Sequence, residues 1–181
     1  MKIFRHHEIK QISEYVKNGG VIIYPTDTVW GIGGNALNVK AVEKTKAYKG
    51  KPADAKLVWL LPSIKTVVRH CGKITPAEKN MLLKKRTTVI IHGQAVRLIR
   101  SGWLNKLLSA CGMPLVATSA NLHGEPVVQT WRQAVRVFAE KDLAVVRGRK
   151  IYRQLPSSLV AYDEKSGQIK ILRAGSGISM N

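Results

Sequence analysis

The stretch from Gly19 to Gly34, Gly-Gly-Val-Ile-Ile-Tyr-Pro-Thr-Asp-Thr-Val-Trp-Gly-Ile-Gly-Gly, constrains the fold more than any other. Val21, Ile22, Ile23 and Tyr24 are β-branched or aromatic and read as a strand covered on both faces. Pro25 cannot donate to a sheet ladder and ends the strand, so Thr26, Asp27 and Thr28 stand at its exit. Gly31, Gly33 and Gly34 permit positive φ and close backbone approach to a ligand. Open α/β sheets bind ligands beyond the carboxyl ends of their strands. A polar turn between strand and helix would use the same residues, and this stretch alone leaves both readings open.

The rest of the chain supplies the other elements. Ile9, Ile12, Tyr15 and Val16 share a helical face that stops at Asn18-Gly19-Gly20. A basic helix is expected from Val39 to Tyr48, with Pro52 driving the chain out of it. A strand at Leu57 to Leu61 and a helix from Ile64 to His70 follow. Thr75-Pro76-Ala77-Glu78 then has an N-cap threonine, proline at the first helical position and a capping-box glutamate. Thr87 to Ile91 and Gln94 to Ile99 predict a tight hairpin about His92-Gly93. Further expectations are a helix from Trp103 to Cys111, a strand from Pro114 to Thr118, a Thr130-capped helix to Glu140 and a strand from Leu143 to Val146. A last hairpin joins Ser158 to Asp163 with Gln168 to Arg173 through Glu164-Lys165-Ser166-Gly167. This order predicts an α/β fold, a twisted sheet of mixed parallel and antiparallel strands flanked by helices, in a single domain over 1–181.

Thirty Lys plus Arg against 11 Asp plus Glu leave a formal charge of +19, which points to a polyanionic partner, RNA first. A generally basic proteome would give the same balance. The cations concentrate at Lys44 to Lys56, Lys84-Lys85-Arg86 and Arg147 to Arg153, as on one face of a folded domain. At 6% aromatic residues, base stacking is a poor main mode of binding. No apolar run nears the roughly 20 residues of a membrane span, and Met1 to His7 lack a signal peptide's apolar core. A cytoplasmic protein without a membrane partner is expected. Cys71 and Cys111 have no metal-ligand spacing to each other or to the histidines, so neither a disulfide nor a metal centre is expected. Hydroxyl-bearing exits at Thr26, Ser119 and Ser157, with cations near Lys49, Arg97 and Arg173, suit a pocket for a nucleotide triphosphate and a small polar acid. Sequence alone does not bring them together.

Several short motifs occur in a telling order: Tyr-Pro-Thr-Asp-Thr-Val-Trp-Gly at 24–31, Lys-Gly-Lys-Pro at 49–52, Ala-Val-Arg at 95–97, Pro-Leu-Val-Ala-Thr-Ser-Ala-Asn at 114–121, Pro-Ser-Ser at 156–158 and Leu-Arg-Ala-Gly at 172–175. In this order and over nearly the whole chain, they resemble the YrdC/TsaC family of threonylcarbamoyl-AMP synthases. The resemblance implies a YrdC-like fold and a reaction joining L-threonine, bicarbonate and ATP into threonylcarbamoyl-adenylate, with release of pyrophosphate. Magnesium would accompany the ATP, and partner proteins would pass the group to tRNA. It further implies that Thr26 and Arg97 hold threonine and that Ser157 contacts the threonylcarbamoyl part. Lys49 and Lys51 would meet the ATP phosphates as the catalytic cations, Ser119 and Asn121 would bind the nucleotide, and Arg173 would reach its phosphate or sugar. Asp27 would orient the threonine loop or help hold magnesium.

This chain also departs from the family pattern. Lys51 stands where arginine is usual, and a lysine is a point charge without arginine's fork. Trp30 replaces a tyrosine or phenylalanine. Lys-Lys-Arg-Thr-Thr at 84–88 replaces Pro-Gly-Pro-x-Thr, and the segment before Ala95 is shortened beside the nucleotide site. The alternative is a catalytically weakened member that binds double-stranded RNA or tRNA, or helps ribosome assembly. A third reading is a paralogue acting on another small acid.

Overall fold

The computed structural model describes residues 1–151, 155–163 and 166–177. Among these, one ten-stranded sheet carries six helices. In chain order the elements are β1 (Lys2–Phe4), α1 (Ile9–Lys17), β2 (Ile22–Tyr24), β3 (Gly31–Gly33), α2 (Val39–Lys49), β4 (Val58–Leu61), α3 (Ile64–Cys71), α4 (Pro76–Leu83), β5 (Thr87–Ile91), β6 (Gln94–Leu98), α5 (Gly102–Cys111), β7 (Leu115–Ser119), α6 (Trp131–Val137), β8 (Ala144–Val146), β9 (Ser158–Asp163) and β10 (Gln168–Arg173). The strands are ordered β1-β8-β2-β3-β7-β4-β6-β5-β9-β10. Pairs β1/β8, β2/β8, β4/β6 and β5/β9 are parallel, and the other neighbours are antiparallel. The mixed sheet expected from the sequence is the sheet observed. Glu164 and Lys165 of the last turn and Arg153 of the basic run lie outside the described residues. No helix among the described residues is long and apolar enough to cross a membrane.

Residues on β2 alternate between two cores, as a doubly covered strand requires. Ile22 and Tyr24 pack with Ile12 and Val16 of α1 and with Leu104, Leu107 and Leu108 of α5. Ile23 and its neighbour Val21 pack on the other side with Ala134 of α6 and Phe138. A third core joins Val67, Met81 and Leu82, from α3 and α4, to Val89 and Val96. The capping box at α4 is present: the Glu78 amide donates to Thr75 Oγ1 at 3.2 Å, and the Thr75 amide to Glu78 Oε2 at 2.7 Å. The hairpin turn is His92-Gly93, with φ of 46° and 78°, the left-handed pair that tight two-residue hairpins require.

Several sequence expectations are corrected. The glycine-rich segment after Trp30 forms β3, and Gly31, Gly33 and Gly34 do not have positive φ. Close packing is what requires glycine here: a Cβ on Gly33 would stand 1.7 Å from the Val116 carbonyl oxygen of β7. The edge strand β1 went unread because only Phe4 of its three residues is buried, leaving no alternation to see. Helix α2 ends before Pro52 is reached. Gly50 adopts φ 67° and the Lys51 amide returns to the Lys46 carbonyl at 2.9 Å, a Schellman stop. Helix α6 stops at Val137, three residues short of Glu140, because Phe138 and Leu143 both turn into the second core.

Candidate functional site

Alternation along β6 sends Val96 and Leu98 to the third core and leaves Arg97 on the opposite face, beside Leu60 of β4. Arg97 is 6% exposed. Its Nη1 donates to Thr28 Oγ1 at 3.0 Å and its Nη2 pairs with Asp27 Oδ1. The loop that meets it is braced internally. Thr26 Oγ1 donates to the Val29 carbonyl at 2.6 Å and accepts the Thr28 amide at 3.1 Å. Burial disfavours the charged form of the guanidinium, and Asp27 opposes that effect. Strand β2 runs opposite to β6 through the intervening pairings. The Thr26 loop therefore folds back over a face of the sheet to reach Arg97, and does not stop beyond the strand ends as expected.

A second hydroxyl pair lies next to Arg97. Thr88 stands beside it one step along the β5/β6 register, and Thr88 Oγ1 and Ser157 Oγ are 2.7 Å apart, both residues buried. Arg173 Nη2 donates to the Ser157 carbonyl at 2.9 Å. The Ser176 amide donates to the Pro156 carbonyl at 2.8 Å, so the segment after β10 holds the Ser157 loop in place.

The third group is built on the end of α2. Lys49, 5% exposed, donates from Nζ to the Asn121 carbonyl at 3.0 Å, to Asn121 Oδ1, and to Ser119 Oγ at 3.4 Å. Asn121 Nδ2 donates to the Leu122 and Glu125 carbonyls at 2.8 and 2.7 Å, which fixes the turn after β7. Burial, with the charge of Lys51 adding to it, lowers the Lys49 ammonium to about 8. Gly31 links this group to the first. It pairs with Ser119 across β3/β7, and a Cβ placed on it would lie 3.4 Å from Thr26 Cγ2. Lys51 stands apart, lining a shallow depression with Lys46 and Ala53.

The fold thus brings Thr26, Arg97, Ser157 and Arg173 into one neighbourhood and Lys49, Ser119 and Asn121 into an adjoining one. A cavity of about 830 Å³ opens at Thr26, within the usual size of small-molecule sites, and the other six residues are not among those that line it. Thr26 and Asp27 line it together with Lys84, Arg86, Arg100 and Arg147. Sequence reasoning gave no site role to Thr28, Thr88 or Arg100, although it singled out the cations at Lys84 to Arg86 and from Arg147 onward that line this cavity. Thr88 carried a signal, since it keeps the final threonine of the replaced motif. Among the described residues no group of three or more His, Cys, Asp or Glu could hold a metal. Asp27, the carboxylate on the cavity wall, is engaged by Arg97. Magnesium fits this donor set only as an ion carried largely by phosphate oxygens, its ordinary mode beside nucleotides.

Buried hydroxyls, a buried arginine fork and a buried lysine are thus gathered on an α/β fold with a mixed sheet. The sequence model of the Sua5/YciO/YrdC family, described as "Telomere recombination", matches residues 14–175. The chain belongs to this family. It is 30% identical over 172 residues to the threonylcarbamoyl-AMP synthase of Neisseria gonorrhoeae, covering 83% of this chain and 89% of that protein. It is 28% identical over 185 residues to the threonylcarbamoyl-AMP synthase of Vibrio parahaemolyticus, covering 92% and 98%. Among solved structures, the H234A/Y235A variant of P. abyssi Sua5 superimposes with a TM-score of 0.84 at 25% identity, over 97% of this chain and 57% of the other. The chain thus spans little more than half of that Sua5. E. coli YciO shares the fold, with a TM-score of 0.85 at 18% identity over 98% of both chains.

Proposed function

We propose that this chain is an L-threonylcarbamoyladenylate synthase, a nucleotidyltransferase acting on L-threonine, bicarbonate and ATP in the tRNA modification route. The observation that carries the reading is the buried Arg97 fork beside the Thr26 and Thr28 hydroxyls, one glycine away from the Lys49, Ser119 and Asn121 group. Relatives named for this synthase support it, as does a P. abyssi Sua5 structure complexed with L-threonine.

Arg97 exchanges Asp27 for the threonine carboxylate, since a guanidinium fork matches a carboxylate in two parallel hydrogen bonds. Thr26 and Ser157 place the rest of the amino acid. The threonine amine adds to the carbon of bicarbonate-derived carbon dioxide, losing a proton, to give a carbamate. A carbamate oxygen then attacks the α-phosphorus as the bond to the leaving pyrophosphate breaks. Such a displacement depends on positioning and charge neutralisation. Lys49 supplies the buried cation, Lys51 a second charge from outside, Ser119 and Asn121 hold the nucleotide, and Arg173 steadies the Ser157 loop and its phosphate or sugar. Magnesium, when bound, neutralises the phosphates. Proteins that transfer threonylcarbamoyl to tRNA would take the product.

Pyrophosphate release from ATP, measured with and without threonine and bicarbonate, tests the reading. Release that requires both supports it, and none from the folded protein refutes it.

A second reading, an RNA-binding member of the family, is favoured by the cationic cavity and by Arg132 and Arg147, which lie 4.6 and 5.0 Å from the Trp131 ring. Binding of tRNA or double-stranded RNA that weakens steeply with salt supports it, and absence of binding at low salt refutes it. An enzyme serving tRNA modification in the cytoplasm accommodates both.

A further inference from the structure

Helix α2 has two sides that carry apolar residues, and only one of them is covered. Its buried residues, Ala41, Thr45 and Lys49, stand four apart on the side turned to β3. A helix with a single packing partner needs one apolar stripe and is polar elsewhere. Here Val39, Val42, Glu43, Lys46 and Ala47 follow the i, i+3, i+4, i+7, i+8 spacing of a second stripe. All five line an open depression of about 450 Å³, bounded on its other side by Ala36, Lys51 and Ala53.

Val39 is 69% exposed and Leu37, just before the helix, is 57% exposed, which puts both among the most exposed large apolar side chains of the described residues. A lone exposed apolar side chain is ordinary, whereas several beside a depression mark an interaction surface. The walls of this one are already set. Asn38 Oδ1 accepts the Ala41 amide at 3.1 Å and caps α2, Asn35 Oδ1 accepts the Leu37 amide at 2.9 Å, and Lys46 Nζ donates to the Ala53 carbonyl across the depression.

Charge selects among occupants. Lys40, Lys46 and Lys51 stand along this surface against Glu43 and Asp54, on a chain of formal charge +19. A second copy would bring the same excess of positive charge and be repelled. A nucleic acid would set its phosphates against valine and alanine side chains and the Glu43 carboxylate, which neither donate hydrogen bonds nor neutralise charge. We propose that this surface docks an acidic segment of a partner protein, an amphipathic helix whose apolar side chains enter the depression while its carboxylates meet the lysines around it. Of the residues proposed for the synthase reaction only Lys51 borders the depression, and the docking proposal does not depend on that reaction.

A synthetic amphipathic peptide of leucine, alanine and glutamate at helical spacing, titrated into the isotope-labelled full chain and followed by amide shifts, tests it. Saturable shifts are expected at Leu37, Val39, Val42, Ala47 and Ala53. Val39→Glu should melt no lower than wild type, because a carboxylate suits the first turn of a helix. It should bind the peptide roughly tenfold more weakly or worse, the worth of one covered apolar side chain with a repelling carboxylate added. Val137→Glu, at an exposed position of α6 outside the depression, should bind as wild type does. Polyglutamate of the same net charge, without apolar side chains, should bind at least about tenfold more weakly than the peptide. No saturable binding of the peptide, equal binding of polyglutamate, shifts confined to other residues, or unchanged affinity in Val39→Glu would overturn the proposal. Self-association of wild type that Val39→Glu abolishes would overturn it in favour of a second copy, and tRNA that shifts the same five amides would overturn it in favour of a nucleic acid.

Discussion

Arg97 of β6 and Thr28 of the loop after β2 are 69 positions apart in the chain and 3.0 Å apart in space. Asp27, whose side chain is 51% exposed, takes the other arm of the guanidinium. A buried cation is therefore held by a hydroxyl and by a carboxylate that solvent can reach.

Replacing Arg97 with methionine keeps its bulk and removes the fork. Threonine-dependent pyrophosphate release should then show a KM for threonine raised roughly ten- to a hundredfold, with the far-ultraviolet spectrum unchanged. An unaltered KM would remove Arg97 from the threonine site.

Burial lowers the Lys49 ammonium to about 8, from an ordinary value of 10.5. Between those values the unfolded chain binds more protons than the folded one, so stability should rise with pH across that window. Below pH 8 the buried charge costs on the order of 3 kcal/mol. Lys49→Met should flatten the rise in urea midpoints between pH 8 and 10 and abolish nucleotide-dependent activity. A rise of the same size in the variant would assign it to another group.

Gly33→Ala should lower stability by about 3 kcal/mol or more, because its Cβ would meet the Val116 carbonyl of the neighbouring strand at 1.7 Å. Gly31→Ala, whose Cβ would meet Thr26 and Tyr24 at the ordinary contact distance of 3.4 Å, should cost less than about 1 kcal/mol. Urea unfolding of the two variants side by side checks the contrast.

Thr88→Val leaves the buried Ser157 hydroxyl without its 2.7 Å partner. A loss of about 1–3 kcal/mol is expected from the orphaned group. The loop that carries Ser157 should loosen as well, read as faster amide exchange at residues 157 and 158. Wild-type exchange there would show that the Ser176 and Arg173 contacts suffice without it.

Much of this protein was legible in its sequence because the signals were local. The Val21 to Tyr24 run, the Thr75 to Glu78 capping box and the His92-Gly93 turn are each fixed by residues within a few positions, and periodicity placed the helices to within a few residues. The ordered motifs pointed to the family. Tertiary structure decided what depends on residues distant in sequence. Gly31 to Gly33 has a loop's composition and becomes a strand because β2 and β7 close on both sides of it. The Thr26 loop turns back over the sheet because Arg97, on a strand running the other way, offers a buried charge to be met. Lys49 and Lys51 look alike in sequence, yet one is buried against Asn121 and the other stands outside, because the Schellman turn at Gly50 separates them. The pairing of Thr88 with Ser157 and the gathering of Arg86, Arg100 and Arg147 around one cavity are products of strand register and loop packing, which no local pattern encodes.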